Sequence, residues 1–328
     1  MAFTRRKFLQ ATGMTVGAST LGFPAVGNAQ SDQYPSKPIN MIIASAAGGS
    51  SDLTSRTLAP LSQEIFGQPM ILQIRPGGGG AVGNELVYQA KPDGYTLSFG
   101  HSNWNSVLPA LEGRSRGPGE MEPVCRINMQ NVIYWVAANS PWNSMQDVIA
   151  YAKANPGKLS FGNSGLWSVT DIMWRWFELK AGLKTRNVTM SGGGETIVQL
   201  LGGHIQISSI GPPQSLPHYR AGKIKPLAIE ARKRYKGLPN IPTMAELGYN
   251  NGLEGLWKAV LAPKGTPRPI IEKLAAGFKK MTEDKRAIDA LDLLGEDFDY
   301  QGTAEFTRYW QEDFEVYKEM AKLFKKDA

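Results

Sequence analysis

Short apolar runs recur along this chain, each ending in a cluster of glycine and small polar residues and followed by a segment of helical period. Ile39–Ala44 runs into Gly48-Gly49-Ser50-Ser51-Asp52 and a helix to about Phe66. Met70–Arg75 runs into Gly77–Gly80 and a helix through Ala90, and Tyr95–Gly100 into His101-Ser102-Asn103-Trp104. That alternation constrains the fold more than any other feature, because strands followed by helices pack as a mostly parallel sheet with helices on both faces. Two further strands, Val124–Ile127 and Val132–Ala138, close the first series.

The rhythm then restarts. Helices at Ser144–Ala154, Ser168–Ala181 and Glu195–Leu201 alternate with strands at Leu159–Gly162, Asn187–Met190, Ile205–Ile210 and Lys225–Glu230. A Pro- and Gly-rich connection, Gly237–Gly255, leads to a strand at Leu256–Ala262 and a helical remainder. In the last helix Phe306, Trp310, Phe314, Tyr317, Met320 and Phe324 recur every three or four residues, the spacing of a core-facing stripe. An α/β protein of two modules follows. Its expected parts are 1–29 as an export signal, 30–130 plus 250–328 as a discontinuous first domain, and 131–249 as the second.

The N-terminus reads as an address. Arg5, Arg6 and Lys7 precede Phe8-Leu9, then a mildly apolar stretch from Ala11 to Val26, then Gly27-Asn28-Ala29. Basic start, apolar run and small-residue site in that order mark an export signal, and the paired arginines point to the twin-arginine route. Cleavage after Ala29 is expected, with a periplasmic mature protein. These three basic residues account for much of the net charge of +7. What is left describes no nucleic-acid stripe. The single Cys125 excludes an internal disulfide and any multi-cysteine metal site.

Catalytic patterns are sparse. Gly162-Asn163-Ser164-Gly165 lacks the spacing of a nucleophile elbow, and His101, His204 and His218 stand in no metal-binding spacing. Gly78-Gly79-Gly80-Ala81-Val82-Gly83 matches a dinucleotide-binding pattern after a strand and before a helix. Such a site also requires an acid at the end of the next strand, and that strand ends Phe99-Gly100-His101-Ser102. A tight structural turn is the better reading, and an exported NADP-dependent oxidoreductase stands as the alternative. The polar junctions at Gly48–Asp52, His101–Trp104, Phe161–Ser168 and Ser191–Glu195 instead suggest loops facing one crevice at the carboxyl ends of the strands.

An ordered set of motifs resembles a known family. The set comprises Ala46–Asp52, Arg75–Gly83, Lys91-Pro92-Asp93-Gly94-Tyr95-Thr96-Leu97, Leu200–Gln206, Pro217–Lys223 and Ala262-Pro263-Lys264-Gly265-Thr266-Pro267. Together with the export signal it is similar to the Bug family of extracytoplasmic solute receptors, the binding subunits of tripartite tricarboxylate transporters. The resemblance implies a type II periplasmic binding protein fold, with two α/β domains joined by two crossing strands and hinges near Gln130 and Gly252. It implies no enzymatic activity, no cofactor and no metal. The expected partners are a small organic carboxylate and the membrane subunits of a transporter, or a sensor to which the ligand is presented. A monomer is expected, with no nucleic acid bound.

Carried over residue by residue, the expected ligand site comprises Gly48, Gly49, Ser50, Ser51 and Asp52, with Ser102, Asn103 and Trp104 beside them. The second domain is expected to add Ser164, Gly165, Trp167, Ser168, Gly193, Gly194 and Glu195. The chain departs from the family at Thr189–Gly192, Glu195 and Gln206, and at Trp104 and Trp167, where small or polar residues are common. Two tryptophans in ligand loops predict a planar ligand body, and Glu195 predicts one carboxylate rather than three.

Overall fold

The computed structural model describes residues 34–326. The expected export signal, 1–29, lies outside the described residues. From Pro35 onward the chain forms one compact unit.

Two five-stranded sheets organise it. In the first, β1 (Ile39–Ile43), β2 (Met70–Ile74) and β3 (Thr96–His101) are joined by β4 (Met121–Gln130) and β10 (Leu256–Pro263) in the order β2-β1-β3-β10-β4. In the second, β5 (Val132–Ala137), β6 (Ser160–Asn163), β7 (Arg186–Thr189), β8 (Ile207–Ile210) and β9 (Ile224–Glu230) run in the order β7-β6-β8-β5-β9. The sheets share one plan: β2-β1-β3 and β7-β6-β8 are parallel, while β10 and β5 run antiparallel to both of their neighbours. The sheets are therefore mixed, not mostly parallel. β4 passes through the single residue Asn131 into β5 of the other sheet, and β10 enters the first sheet after β9 of the second. A strand that arrives from the other sheet is not returned by a helical crossover, so nothing forces it parallel to its neighbours.

The helices follow the strands: α1 (Ser50–Leu58), α2 (Ser62–Phe66), α3 (Ala81–Tyr88) and α4 (Leu108–Glu112) in the first series. The second series holds α5 (Met145–Ala154), α6 (Val169–Ala181), α7 (Gly193–Leu201) and α8 (Pro212–Arg220). The chain closes with α9 (Arg268–Glu283), α10 (Lys285–Leu293) and α11 (Thr303–Lys326). The helix expected to reach Phe66 is broken by a tighter turn at Ala59–Leu61, where Pro60 has no N–H to continue the ladder.

Strand periodicity divides the second core. On β5, Tyr134 and Val136 pack on one face with Phe161, Trp174 and Phe177, and Ile133 and Trp135 pack on the other with Ile197, Leu200 and Ile229. Trp174 stacks on Phe161 at 4.1 Å between centroids. The α11 stripe behaves as its spacing requires. Phe306, Trp310, Tyr317 and Met320 are buried, and Phe314 and Phe324 are half-buried. Phe306 and Trp310 meet Trp257 of β10 edge to face. Cys125 is buried in β4, where burial raises its thiol pKa well above the ordinary range.

Candidate functional site

A cavity of about 870 Å³ lies at the carboxyl ends of β1, β2, β3, β6, β7 and β8. Loops from both sheets line it, so the six strand-to-helix junctions converge on one space. Of the expected site residues, Gly48, Gly49, Ser50, Ser51, Asn103, Trp104, Ser164, Gly165, Trp167, Ser168, Gly193, Gly194 and Glu195 line the cavity. Asp52 and Ser102 do not.

The start of α1 shows why Asp52 is turned away. Its Oδ2 accepts from the Gly48 N–H at 2.8 Å, and its Oδ1 pairs with Arg56 at 2.7 Å. This carboxylate holds the turn and is buried. The N-cap, Gly49, supplies no side-chain acceptor, so the first amides of α1 keep no partner inside the helix. They carry the positive end of the helix dipole to the cavity wall.

The Ser50 hydroxyl plays a different part from the one its position suggests. It donates to Gln130 Oε1 at 2.6 Å, with Glu296 Oε1 at 3.3 Å as a second acceptor. A hydroxyl has one proton. With that proton committed, Ser50 Oγ can only accept from a ligand, and the donors at the start of α1 are its backbone N–H groups. Behind Ser50 lies a buried polar cluster. Lys258 Nζ pairs with Glu296 Oε2 at 2.6 Å and donates to Thr54 Oγ1 at 2.8 Å, while Asn128 donates to the same carboxylate oxygen at 2.7 Å.

At the end of β3, His101 lines the cavity and was not among the expected site residues. Its Nδ1 accepts from the Asn103 N–H at 3.1 Å, which leaves the proton on Nε2. Burial first, and the Lys258 charge second, push its pKa down to about 3, so the ring is a neutral donor. Ser102 is fully buried behind it, at the start of a π-helical turn (Asn103–Val107). Asn103 spends its Oδ1 across the cavity, accepting from the Val169 N–H at the start of α6 at 2.8 Å.

Trp104 lines the cavity yet is only 5% exposed. Its ring stacks on His101 at 4.6 Å and lies against Gly80, where an added Cβ would meet it at 2.6 Å. At Gly83 a Cβ would meet the Arg75 carbonyl at 2.7 Å. Close packing thus accounts for Gly80 and Gly83, and a left-handed φ of +57° accounts for Gly78.

On the second sheet, Ser168 Oγ caps α6 by accepting from the Asp171 N–H at 3.3 Å. Ser164 and Ser168 both pair with Thr170 Oγ1 at 2.9 Å. Trp167 sits at φ +56°, its N–H held by Asp171 Oδ2 at 3.0 Å. Its ring packs against Arg175 and Phe324. Trp104 thus offers no open face, and Trp167 already has two neighbours, so the planar-ligand expectation loses most of its support.

The start of α7 is the counterpart of α1. Its N-cap, Gly192, brings no side-chain acceptor, and Gly193 and Gly194 follow with nothing on their surface but backbone. Glu195 Oε2 accepts from the Ser191 N–H at 2.7 Å and Ser191 Oγ at 2.6 Å. Those bonds lower the Glu195 pKa, side-chain bond first, and keep it ionised at the exposed rim. α8 points at the cavity from Gly211 but opens on Pro212-Pro213, which have no N–H to offer. Lining residues outside the expected set include, besides His101, Gln130 at the expected hinge, Ser45 after β1, Thr189 to Gly192 after β7, and Ser209 and Gly211 at the end of β8. Ser209 Oγ and Ser45 Oγ are buried at the cavity and have no partner among the described residues.

Charge at the site leans negative, because Glu195 adds a second carboxylate to the lining beside Glu112. Among the described lining residues the cation is Arg114, and it is paired with Glu112. The donors left at the wall are amide, hydroxyl, imidazole and indole groups rather than a free cation among the described lining residues. No group of three or more His, Cys, Asp or Glu that could hold a metal is found among the described residues.

Comparison with known proteins decides the family. The profile of the tripartite tricarboxylate transporter family receptor matches residues 54–324. The chain belongs to that receptor family. BugT of Bordetella pertussis is 31% identical over 296 residues, covering 88% of each chain. A solved periplasmic transporter structure superposes with a TM-score of 0.81 at 30% identity, covering 88% of this chain and 97% of the other. The Rhodopseudomonas palustris protein Rpa4515, solved with adipate, superposes with a TM-score of 0.80 at 26% identity, covering 88% and 97%. A solute-binding receptor needs a cavity with donors and no reaction centre, and the convergent junctions provide one. The oxidoreductase alternative finds no support in these relatives, and β3 still ends without a ribose-binding acid.

Proposed function

We propose that this receptor captures a small organic carboxylate in the periplasm, between the two sheets, and delivers it to the membrane subunits of a transporter. The observation that carries the reading is the pair of helix starts, α1 and α7, one from each sheet, that line one cavity without a side-chain cap. Each presents unpaired N–H groups and a partial positive charge, which suits a carboxylate oxygen. Adipate in the Rpa4515 structure supports the same ligand class. The proposed domains are the two sheet layers, hinged where β4 runs into β5 and where the chain returns to β10. Closure about those crossovers would bring both helix starts onto the ligand.

The test begins with a thermal-shift screen of mono-, di- and tricarboxylates. A ligand that binds only the folded form raises the melting temperature by mass action. Gly194→Asp then separates site from fold. Its Cβ meets nothing within 4 Å, and an acid in the first turn favours the helix by about 0.3–1 kcal/mol. The same charge repels a carboxylate at the α7 start. The expected outcome is unchanged or slightly higher stability with affinity for the screened hit at least ~10-fold weaker, about 1.4 kcal/mol, in calorimetry. Unchanged affinity would move the carboxylate away from α7.

A further inference from the structure

Gln130 is the last residue of β4, beside the first crossover, and is 2% exposed. It touches the first sheet at α1, the second sheet at α8 and the second crossover. Its Oε1 accepts from Ser50 Oγ at 2.6 Å, which ties it to the ligand-facing start of α1 on the first sheet. Its side-chain amide lies directly over Gly211, the N-cap of α8 on the second sheet, where an added Cβ would fall 1.6 Å from Nε2. Its backbone carbonyl lies 2.3 Å from where a Cβ would stand on Gly255, at the second crossover, and its register partner is Leu256. Gly255 has φ +132°, so this approach is open to glycine alone.

We propose that Gln130 is the positioning residue that couples the ligand-facing start of α1 to the angle between the two sheets, by holding the arrangement described above, which we take as the closed one. The Ser50 bond fixes the amide, and the amide fills the space over Gly211. Opening must either break the bond or withdraw Gly211 from the amide. A ligand seated on the α1 amides holds Ser50 in place and so favours the closed arrangement. This role rests on the reading of the cavity as a closing ligand site, but its test uses no ligand. Failure of one therefore leaves the other standing.

The experiment measures the spacing of the sheets in free protein by electron–electron resonance between spin labels at Val82→Cys on α3 and Val198→Cys on α7. Both positions are exposed, at 52% and 62%, and neither lines the cavity. The native Cys125 is 0% exposed and will not take a label. Wild-type background is expected to give a major short distance, and Gln130→Ala to lower the closed-to-open ratio about fivefold, the equivalent of one net hydrogen bond. Ser50→Ala, which keeps the Gln130 side chain, and Gly211→Ala, whose methyl displaces the amide, are expected to shift the ratio the same way. Gln130→Ala combined with Ser50→Ala should shift it no further than Gln130→Ala alone. An open distance alone in the wild-type background overturns the proposal. So does a ratio that stays within twofold across these variants while their melting temperatures match wild type. If Gln130→Ala fails to fold, Ser50→Ala and Gly211→Ala decide by the same criterion.

Discussion

Replacing Lys258 by Met is expected to destabilise the protein by about 3–5 kcal/mol, the cost of leaving the partner charge of a buried ion pair without its mate. Lys258 is 0% exposed in β10, a strand buried along its whole length, and Glu296 is 3% exposed. The Glu296 carboxylate would keep the hydrogen bonds from Thr54 at 3.1 Å and Asn128 at 2.7 Å but lose its only cation within ion-pair distance among the described residues. Pairing Lys258→Met with Glu296→Gln removes both charges, and should recover more than half of the loss. Urea denaturation of the two variants and wild type measures this. A single variant within about 1 kcal/mol of wild type would mean that water or a rearranged cation reaches Glu296. Ligand affinity should fall with Lys258→Met as well, because Glu296 and Gln130 together orient Ser50.

The second large effect depends on pH. Asp313, on α11, is buried, and burial pushes its pKa up to about 6 against the pull of hydrogen bonds from Ser106 and Trp257. Glu254 adds a smaller upward push and Arg126 a downward one. A carboxyl whose folded pKa is raised binds its proton more tightly folded than unfolded. Its ionisation therefore costs stability as pH rises from about 4 to about 6, and the full cost remains above that. Glu230 acts in the same direction, since burial pushes it up to about 8 against bonds from Tyr134 and Asn251. These two carboxyls thus cost stability between pH 4 and pH 8, while His101, whose folded pKa is pushed down to about 3, adds stability up to about pH 6.5 and opposes them there. Asp313→Asn keeps an oxygen for both donors and cannot ionise. It is expected to match wild type at pH 4 and to exceed it by about 2–3 kcal/mol at pH 7.5. Denaturant titrations at the two pH values check this, and a difference that does not change with pH would remove Asp313 from the account. The same bond anchors the π-helical turn that carries Asn103 and Trp104, so the variant also tests whether that turn survives at high pH.

Much of the fold was legible in local pattern. Apolar runs ending in Gly48-Gly49-Ser50 or Gly192-Gly193-Gly194 announce a strand feeding a helix, because those residues leave backbone amides uncovered where a helix begins. The α11 stripe was legible for the same reason, since helical period is a local property. Three things were not. α8 holds prolines at 212, 213 and 217 and has no helix assigned to it from the sequence, although proline at a helix start costs no hydrogen bond. The π-helical turn after β3 depends on Asp313 and on Trp310, which donates to the Asn105 carbonyl at 3.0 Å from a helix some 200 residues away. The antiparallel course of β5 and β10 depends on which sheet each strand joins, and a run of apolar residues carries no direction.

The site divides in the same way. By itself the sequence determined which backbone amides begin helices at the ends of strands, those at Gly49–Ser51 and Gly192–Gly194 among them. It also determined the family, through the order of its motifs. Tertiary structure alone decided which side chains share that space and how. Asp52 turns back to its own loop, Ser102 is buried, and Trp104 is pressed between His101 and Gly80. His101 and Gln130 enter the cavity, and Ser50 donates its hydroxyl hydrogen bond to Gln130, 80 residues on. Amide donors follow from chain direction and local period. A side chain's orientation and its free proton follow from partners that only folding brings within hydrogen-bond distance.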